Sequence, residues 1–319
     1  MEEFVDEKEQ VTKFLRKLAI TKQLNFLIGS GASTPAIPLM SQCSDNDELV
    51  KKIQKVSKEL LNDTYKFDNN VGKNYNNDIK NVLASYKKLI YAISDVLDRS
   101  NSRETPKEAN LFTTNYDLFV EKAVDMVLKE IPLVFNDGAR GYFNKYLDSS
   151  NFNRMVAYKG LNNNYIDELP SLTLIKPHGS VNWERSNDGQ VIIRNKVVKN
   201  PMVVPPTGLE GQETFLNNHF HDMLRVFQLE LDKPESVLFV LGFSFQDDHI
   251  ARMIRRALEN RRLIIECFCW SDSDKEQYLN NLKYEGQPPH NLKFITPAQL
   301  KKEHLYLGDL GKILLGEFE

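Results

Sequence analysis

Apolar positions along the chain fall into two kinds of run. Val11, Phe14, Leu15 and Leu18 recur at helical spacing and predict an amphipathic helix near residues 5–20. The same period predicts helices near 45–63 and 77–98. The second of these carries Ile79, Val82, Leu83, Tyr86, Ile90, Ile93 and Leu97 in one stripe. Short apolar runs without alternation stand at 24–28, 109–113, 172–175, 202–204, 237–241, 263–268 and 292–295. Such runs read as strands, and the unbroken ones suit strands buried on both faces, as in a parallel sheet. Further helices are predicted from Asn115 onward, near 213–232, and after Gly242, where Ile250, Met253, Ile254 and Leu258 share one side. Asn187-Asp188-Gly189 lies between two β-like runs and predicts a tight hairpin with both central residues at positive φ. Residues 135–170 show no period and read as irregular.

Strands alternating with helices predict the α/β class: a Rossmann-like, largely parallel sheet with helices on both faces. The expected core of a single domain over 1–319 comprises 20–44, 106–135 and 171–300. Residues 45–105 read as a helical insertion, 136–170 and 182–200 as irregular and hairpin insertions, and 301–319 as a C-terminal helix. The chain's 319 residues are ample for a core of that kind. Lys and Arg number 41 against 44 Asp and Glu, a net charge of −3, so no general attraction to nucleic acid or an anionic membrane is expected. Three cysteines exclude a disulfide framework and a four-cysteine zinc site. The start of the chain is acidic, unlike a signal peptide, and no apolar stretch approaches the ~20 residues of a membrane helix. A cytoplasmic protein is expected.

In an open parallel sheet, ligands bind at the carboxyl ends of the strands. Polar and glycine-rich clusters follow the predicted strands there. They are Gly29-Ser30-Gly31-Ala32-Ser33-Thr34, Thr113-Thr114-Asn115-Tyr116-Asp117, Pro177-His178-Gly179-Ser180, Gly242-Phe243-Ser244 and Ser271-Asp272, with Gln246-Asp247-Asp248-His249 just past the fourth. Glycines let backbone N–H groups approach a phosphate, though a plain strand-to-helix turn needs them equally. Thr34 replaces the third glycine of a dinucleotide fingerprint, which disfavours a conventional dehydrogenase, and no Walker loop exists. Asn115 reads either as a ligand contact or as a helix N-cap. His178 reads either as a turn residue or as a base, a role open to histidine in general because free imidazole side chains titrate near ~6.5. His219 and His221 do not share a helix face, and no metal site is predicted.

Taken in order, these clusters resemble the motifs of the sirtuin family, in its bacterial sirtuin-like branch. Gly29-Ser30-Gly31-Ala32-Ser33 stands for the Gly-Ala-Gly-x-Ser turn and Thr113-Thr114-Asn115-Tyr116-Asp117 for Thr-Gln-Asn-x-Asp. His178-Gly179 stands for the His-Gly pair and Gly242-Phe243-Ser244 for Gly-Thr/Tyr-Ser. The interval after His178-Gly179, which holds four zinc-binding cysteines in protein-deacylating sirtuins, has no cysteine here, and the Pro-Asp-Phe-Arg stretch is absent. The resemblance is therefore to the zinc-free branch similar to NAD-consuming effectors of anti-phage defence.

The resemblance implies NAD as substrate, without zinc. The turn Gly29, Ser30, Gly31, Ala32, Ser33, Thr34 would cradle the pyrophosphate. Gly242, Phe243, Ser244, Ser271 and Asp272 would line the adenosine half. Asn115, Asp117 and His178 would be catalytic, with His178 the base in hydrolysis to nicotinamide and ADP-ribose. The other readings are a binding module for NAD, ADP-ribose or a nucleotide signal, and an ADP-ribosyl cyclase or transferase. The branch implies a homo-oligomer, or a partner such as a HerA-type ATPase, with the first helix and residues 305–318 as candidate contacts.

Overall fold

The computed structural model describes residues 6–66, 73–99, 106–158, 168–204 and 218–318. In chain order the strands are β1 (Gln23–Ile28), β2 (Glu108–Thr113), β3 (Val134–Asn136), β4 (Ala139–Arg140), β5 (Lys145–Leu147), β6 (Ser171–Ile175), β7 (Gly179–Ser180), β8 (Trp183–Arg185), β9 (Val191–Ile193), β10 (Met202–Val203), β11 (Ser236–Leu241), β12 (Ile264–Phe268) and β13 (Leu292–Ile295). The helices are α1 (Glu7–Thr21), α2 (Asn46–Asn62), α3 (Lys73–Arg99), α4 (Phe119–Val127), α5 (Asn218–Asp232), α6 (Asp248–Ala257), α7 (Asp274–Asn281) and α8 (Leu307–Leu315).

Seven strands pair in parallel in the order β13-β12-β11-β1-β2-β6-β3. Alternate side chains along each strand supply two cores. Phe26, Leu111, Leu174 and Phe239 pack with α1, α2, α3, α4 and α8 on one face. Leu27, Phe112, Ile175 and Val240 pack with α5, α6 and α7 on the other. This is the predicted α/β, Rossmann-like class with helices on both faces. The chain leaves β1 toward the first face and leaves β11, its neighbour, toward the second. That divergence makes the carboxyl ends of β1 and β11 a topological switch point, where a crevice forms.

Several sequence expectations need correction. The helix expected from Asn115 begins at Phe119, because the Asn115 side chain is drawn into tertiary contacts instead of capping. Residues 135–170 are not wholly irregular. β3 extends the main sheet, and β4 and β5 join β8 and β9 in a four-stranded antiparallel sheet. Strands of two or three residues are too short to show a period. The run at 202–204 enters a separate two-stranded sheet with β7. In the β8–β9 hairpin only Gly189 takes positive φ, +84°. Ser186 N donates to Gln190 O and Gly189 N to Ser186 O, so the loop has three residues and needs one left-handed position. Of the helix predicted at 213–232, residues 213–217 lie outside the described residues.

Candidate functional site

Two loops meet at the switch point. After β1, the chain turns through a short 3-10 helix at Ser30–Ser33. After β11, Gly242 turns back at φ +62°. The loops touch backbone to backbone: Gly31 N donates to Gly242 O at 2.9 Å. A Cβ on Gly29 would lie 2.5 Å from Gly242 O, and one on Gly242 2.3 Å from Ala32 N. These glycines are required by loop packing. The amides of Gly31, Ala32 and Thr34 donate within the protein, to Gly242 O, Gly29 O and Gly31 O. What the turn offers a ligand is its exposed tip, Ser30 and Gly31.

Beneath that tip lies a buried polar cluster. Thr113 Oγ1 donates to Ile28 O and accepts from Asn115 N, which fixes the loop leaving β2 against β1. Asn115 Nδ2 then donates to Gly29 O at 3.0 Å and to Ser33 Oγ at 3.2 Å. Both amide hydrogens are engaged, and Oδ1 is the Asn115 side-chain group left for a ligand. Ser33 Oγ donates to Asp117 Oδ2 at 2.8 Å, so the 3.0 Å contact between Ser33 and Tyr86 has the tyrosine hydroxyl as donor. Asp117 Oδ1 accepts from Phe119 N. Burial raises the Asp117 carboxyl above its ordinary pKa, opposed by the Lys176 ammonium and by these hydrogen bonds. Burial likewise holds the Tyr86 phenol far above its ordinary value, so it remains a neutral donor.

The turn after β6 carries His178. Gly179 follows at φ +85°, with its Cα so close to β10 that a Cβ would lie 2.0 Å from Met202 O. His178 O accepts from Val204 N, and the ring sits with Nε2 3.2 Å from Asp247 Oδ2. Asp247 also caps α6, its Oδ1 accepting from His249 N and Ile250 N. Burial pushes the Asp247 carboxyl up, but His178 and the two amides outweigh it and hold the group below its ordinary range. Burial lowers the pKa of the neighbouring His249. The two loops are joined by backbone: Val181 N donates to Tyr116 O at 3.0 Å.

The predicted site residues thus fall into connected groups. Gly29, Ser33, Asn115 and Asp117 share one hydrogen-bond network, with Gly31, Ala32 and Gly242 packed on it. His178 pairs with Asp247 and has no direct hydrogen bond to Asn115. Phe243 is buried against Phe245, and Ser244 O accepts from Asn281 Nδ2. Ser271 N and Oγ donate to the Asp274 carboxylate at the start of α7, and Asp272 accepts from Ala298 N, so both are tied to their own edge of the sheet. Asp247, Tyr86 and Lys176 belong to the site and were given no role from sequence. Asp247 sits in a polar cluster beyond β11 that could have pointed to it. Tyr86 looked like one more position in an apolar stripe, and only the fold turns its hydroxyl to Ser33.

Among the described residues, no group of three or more His, Cys, Asp or Glu is placed to hold a metal ion, and no helix is long and apolar enough to cross a membrane. A solved structure from work on the structural basis of sirtuin substrate affinity aligns over 96% of this chain and 98% of its own, at 13% identity and a TM-score of 0.41. No curated protein matches the chain. The sequence model of the SIR2-like domain matches residues 109–286, more than half of the chain, from β2 through α7. The chain therefore belongs to the SIR2-like domain family, and its role is tied to NAD.

Proposed function

We propose that the chain hydrolyses NAD, cleaving the nicotinamide–ribose bond to give nicotinamide and ADP-ribose. The observation that carries the reading is the His178–Asp247 pair, a buried imidazole 3.2 Å from a carboxylate that stays ionised. It stands beside the strand end that carries Asn115. An orienting carboxylate of this kind stabilises an imidazolium when the ring takes a proton.

The bond breaks with its electron pair leaving on nicotinamide, which departs neutral and needs no acid. Positive charge develops on the ribose, as in glycoside hydrolysis. Asp117 opposes that charge from below the loop. Asn115 Oδ1 accepts a hydrogen bond from the attacking water. The water oxygen forms the new bond to the anomeric carbon, and His178 takes its proton. The exposed tip of Ser30 and Gly31 suits the pyrophosphate, since nothing beyond backbone projects at Gly31. Gly242, Phe243 and Ser244 stand next along the rim for the adenosine half, with Ser271 and Asp272 at the end of β12.

An uncontrolled NAD hydrolase would starve its own cell. The reading therefore extends to a regulated NAD-depleting effector of anti-phage defence, cytoplasmic and zinc-free, released by self-assembly or by a partner such as a HerA-type ATPase.

Purified protein is incubated with NAD, alone and with the product of a neighbouring gene, and the products are separated by chromatography. Nicotinamide with ADP-ribose is the expected result; a cyclic product would reassign the chain as a cyclase, and bound but intact NAD as a sensor. His178→Ala and Asn115→Ala are each expected to lower nicotinamide release by about 10²–10⁴-fold with the fold intact. Wild-type rates in either variant would sink the assignment.

A further inference from the structure

Lys176 directly follows β6, the strand that leads into the His178 turn, and it is 2% exposed. A lysine is buried to that degree only where its charge is matched. Its ammonium donates to three oxygens from three segments: Asp117 O at 2.5 Å, Glu121 Oε1 on α4 at 2.9 Å and Ser180 Oγ on β7 at 3.0 Å. All three of its hydrogens are engaged. Ser180 Oγ in turn donates to Tyr116 O. One side chain thus bridges the loop that carries Asn115 and the turn that carries His178.

The same ammonium pairs directly with the half-buried Glu121 carboxylate and also acts through its charge on the buried Asp117 carboxyl, whose backbone carbonyl it binds. Burial raises the pKa of both Asp117 and Glu121, and Lys176 lowers both. The Asp117 charge also raises the pKa of Glu121. The other titratable group against Asp117 is Tyr86 on α3, which stays neutral. Asp117 therefore depends on Lys176 for its counter-charge and shares it with Glu121.

We propose that Lys176 is the positioning residue of this site, docking the His178 turn against the Asn115 loop and supplying Asp117 with its counter-charge. The proposal rests on the NAD-cleavage reading above. It assigns Glu121 as a competitor for the same ammonium.

The test compares rates of nicotinamide release across pH for the wild type, Lys176→Met and Glu121→Gln, with melting temperatures to confirm folding. Lys176→Met is expected to lose on the order of 10²-fold in kcat with KM little changed. Its rate relative to wild type is expected to climb as pH rises, because Asp117 alone ionises only at higher pH. Glu121→Gln leaves the lysine to Asp117, so its relative rate is expected to be highest on the acid side and to fall as pH rises. A relative rate flat with pH in both variants would mark simple packing damage and overturn the proposal. Should Lys176→Met not fold, a flat Glu121→Gln profile overturns it alone. A wild type that releases no nicotinamide under any condition removes the parent reading and this proposal together; an active wild type with flat ratios removes only this one.

Discussion

Glu266 lies inside β12 with no exposed surface, and neither carboxylate oxygen has a hydrogen-bond partner. Burial pushes its pKa from 4.5 to about 7, and Lys293, opposite it on β13, only partly offsets this. The sign follows from linkage: a carboxyl whose pKa rises on folding favours the fold at low pH, and that contribution is lost as pH climbs from the unfolded value through about 7. Glu266→Gln is therefore expected to stabilise the protein by roughly 3 kcal/mol at pH 8 and not at pH 4, read from urea midpoints at the two pH values. A gain equal at both would show that titration is not involved. At this scale the sequence is half legible. Asn115 and His178 stand out because polar residues end apolar strands. Lys176 does not, because its worth depends on Asp117 O and Glu121, which lie more than fifty positions earlier and meet it only after β2 pairs with β6.

Glycines at element ends divide into two sorts, and the difference is measurable. Gly242 has positive φ and backbone 2.3 Å from where a Cβ would stand; Gly189 has positive φ with nothing within 4 Å. Gly242→Ala therefore meets both strain and collision, and is expected to cost on the order of 3 kcal/mol and to disturb the Gly29 turn. Gly189→Ala meets strain alone, at about 1 kcal/mol. Calorimetric melting of the two variants checks the ordering, and equal losses would refute it. Long elements were readable from their apolar period. The start of α4 was not, because Asn115 satisfies Gly29 O and Ser33 across the sheet instead of capping its own helix. No local pattern contains that preference.

For the molecule as a whole, the helix at the end of the chain is part of the core. Leu307, Leu310, Ile313 and Leu314 are buried, and α8 lies on α3 so closely that a Cβ on Gly311 would stand 3.0 Å from Leu89 N. Residues 305–318 looked from sequence like a surface for a partner; their apolar side is already covered by α1 and α3. Removing residues 301–319 is expected to strip one face of α3 and lower the melting temperature sharply, an effect separable from any change in oligomer mass by light scattering at a temperature where both forms remain folded. An unchanged melting temperature would show that α3 does not need this cover. The sheet order has a consequence of its own. β1 is made early, yet one of its two neighbours, β11, is among the last strands to leave the ribosome. Until then the Gly29 bend is held only from the side of the Asn115 loop and lacks the backbone brace of Gly242, so the crevice between the two loops takes shape only once the final third of the chain has been made.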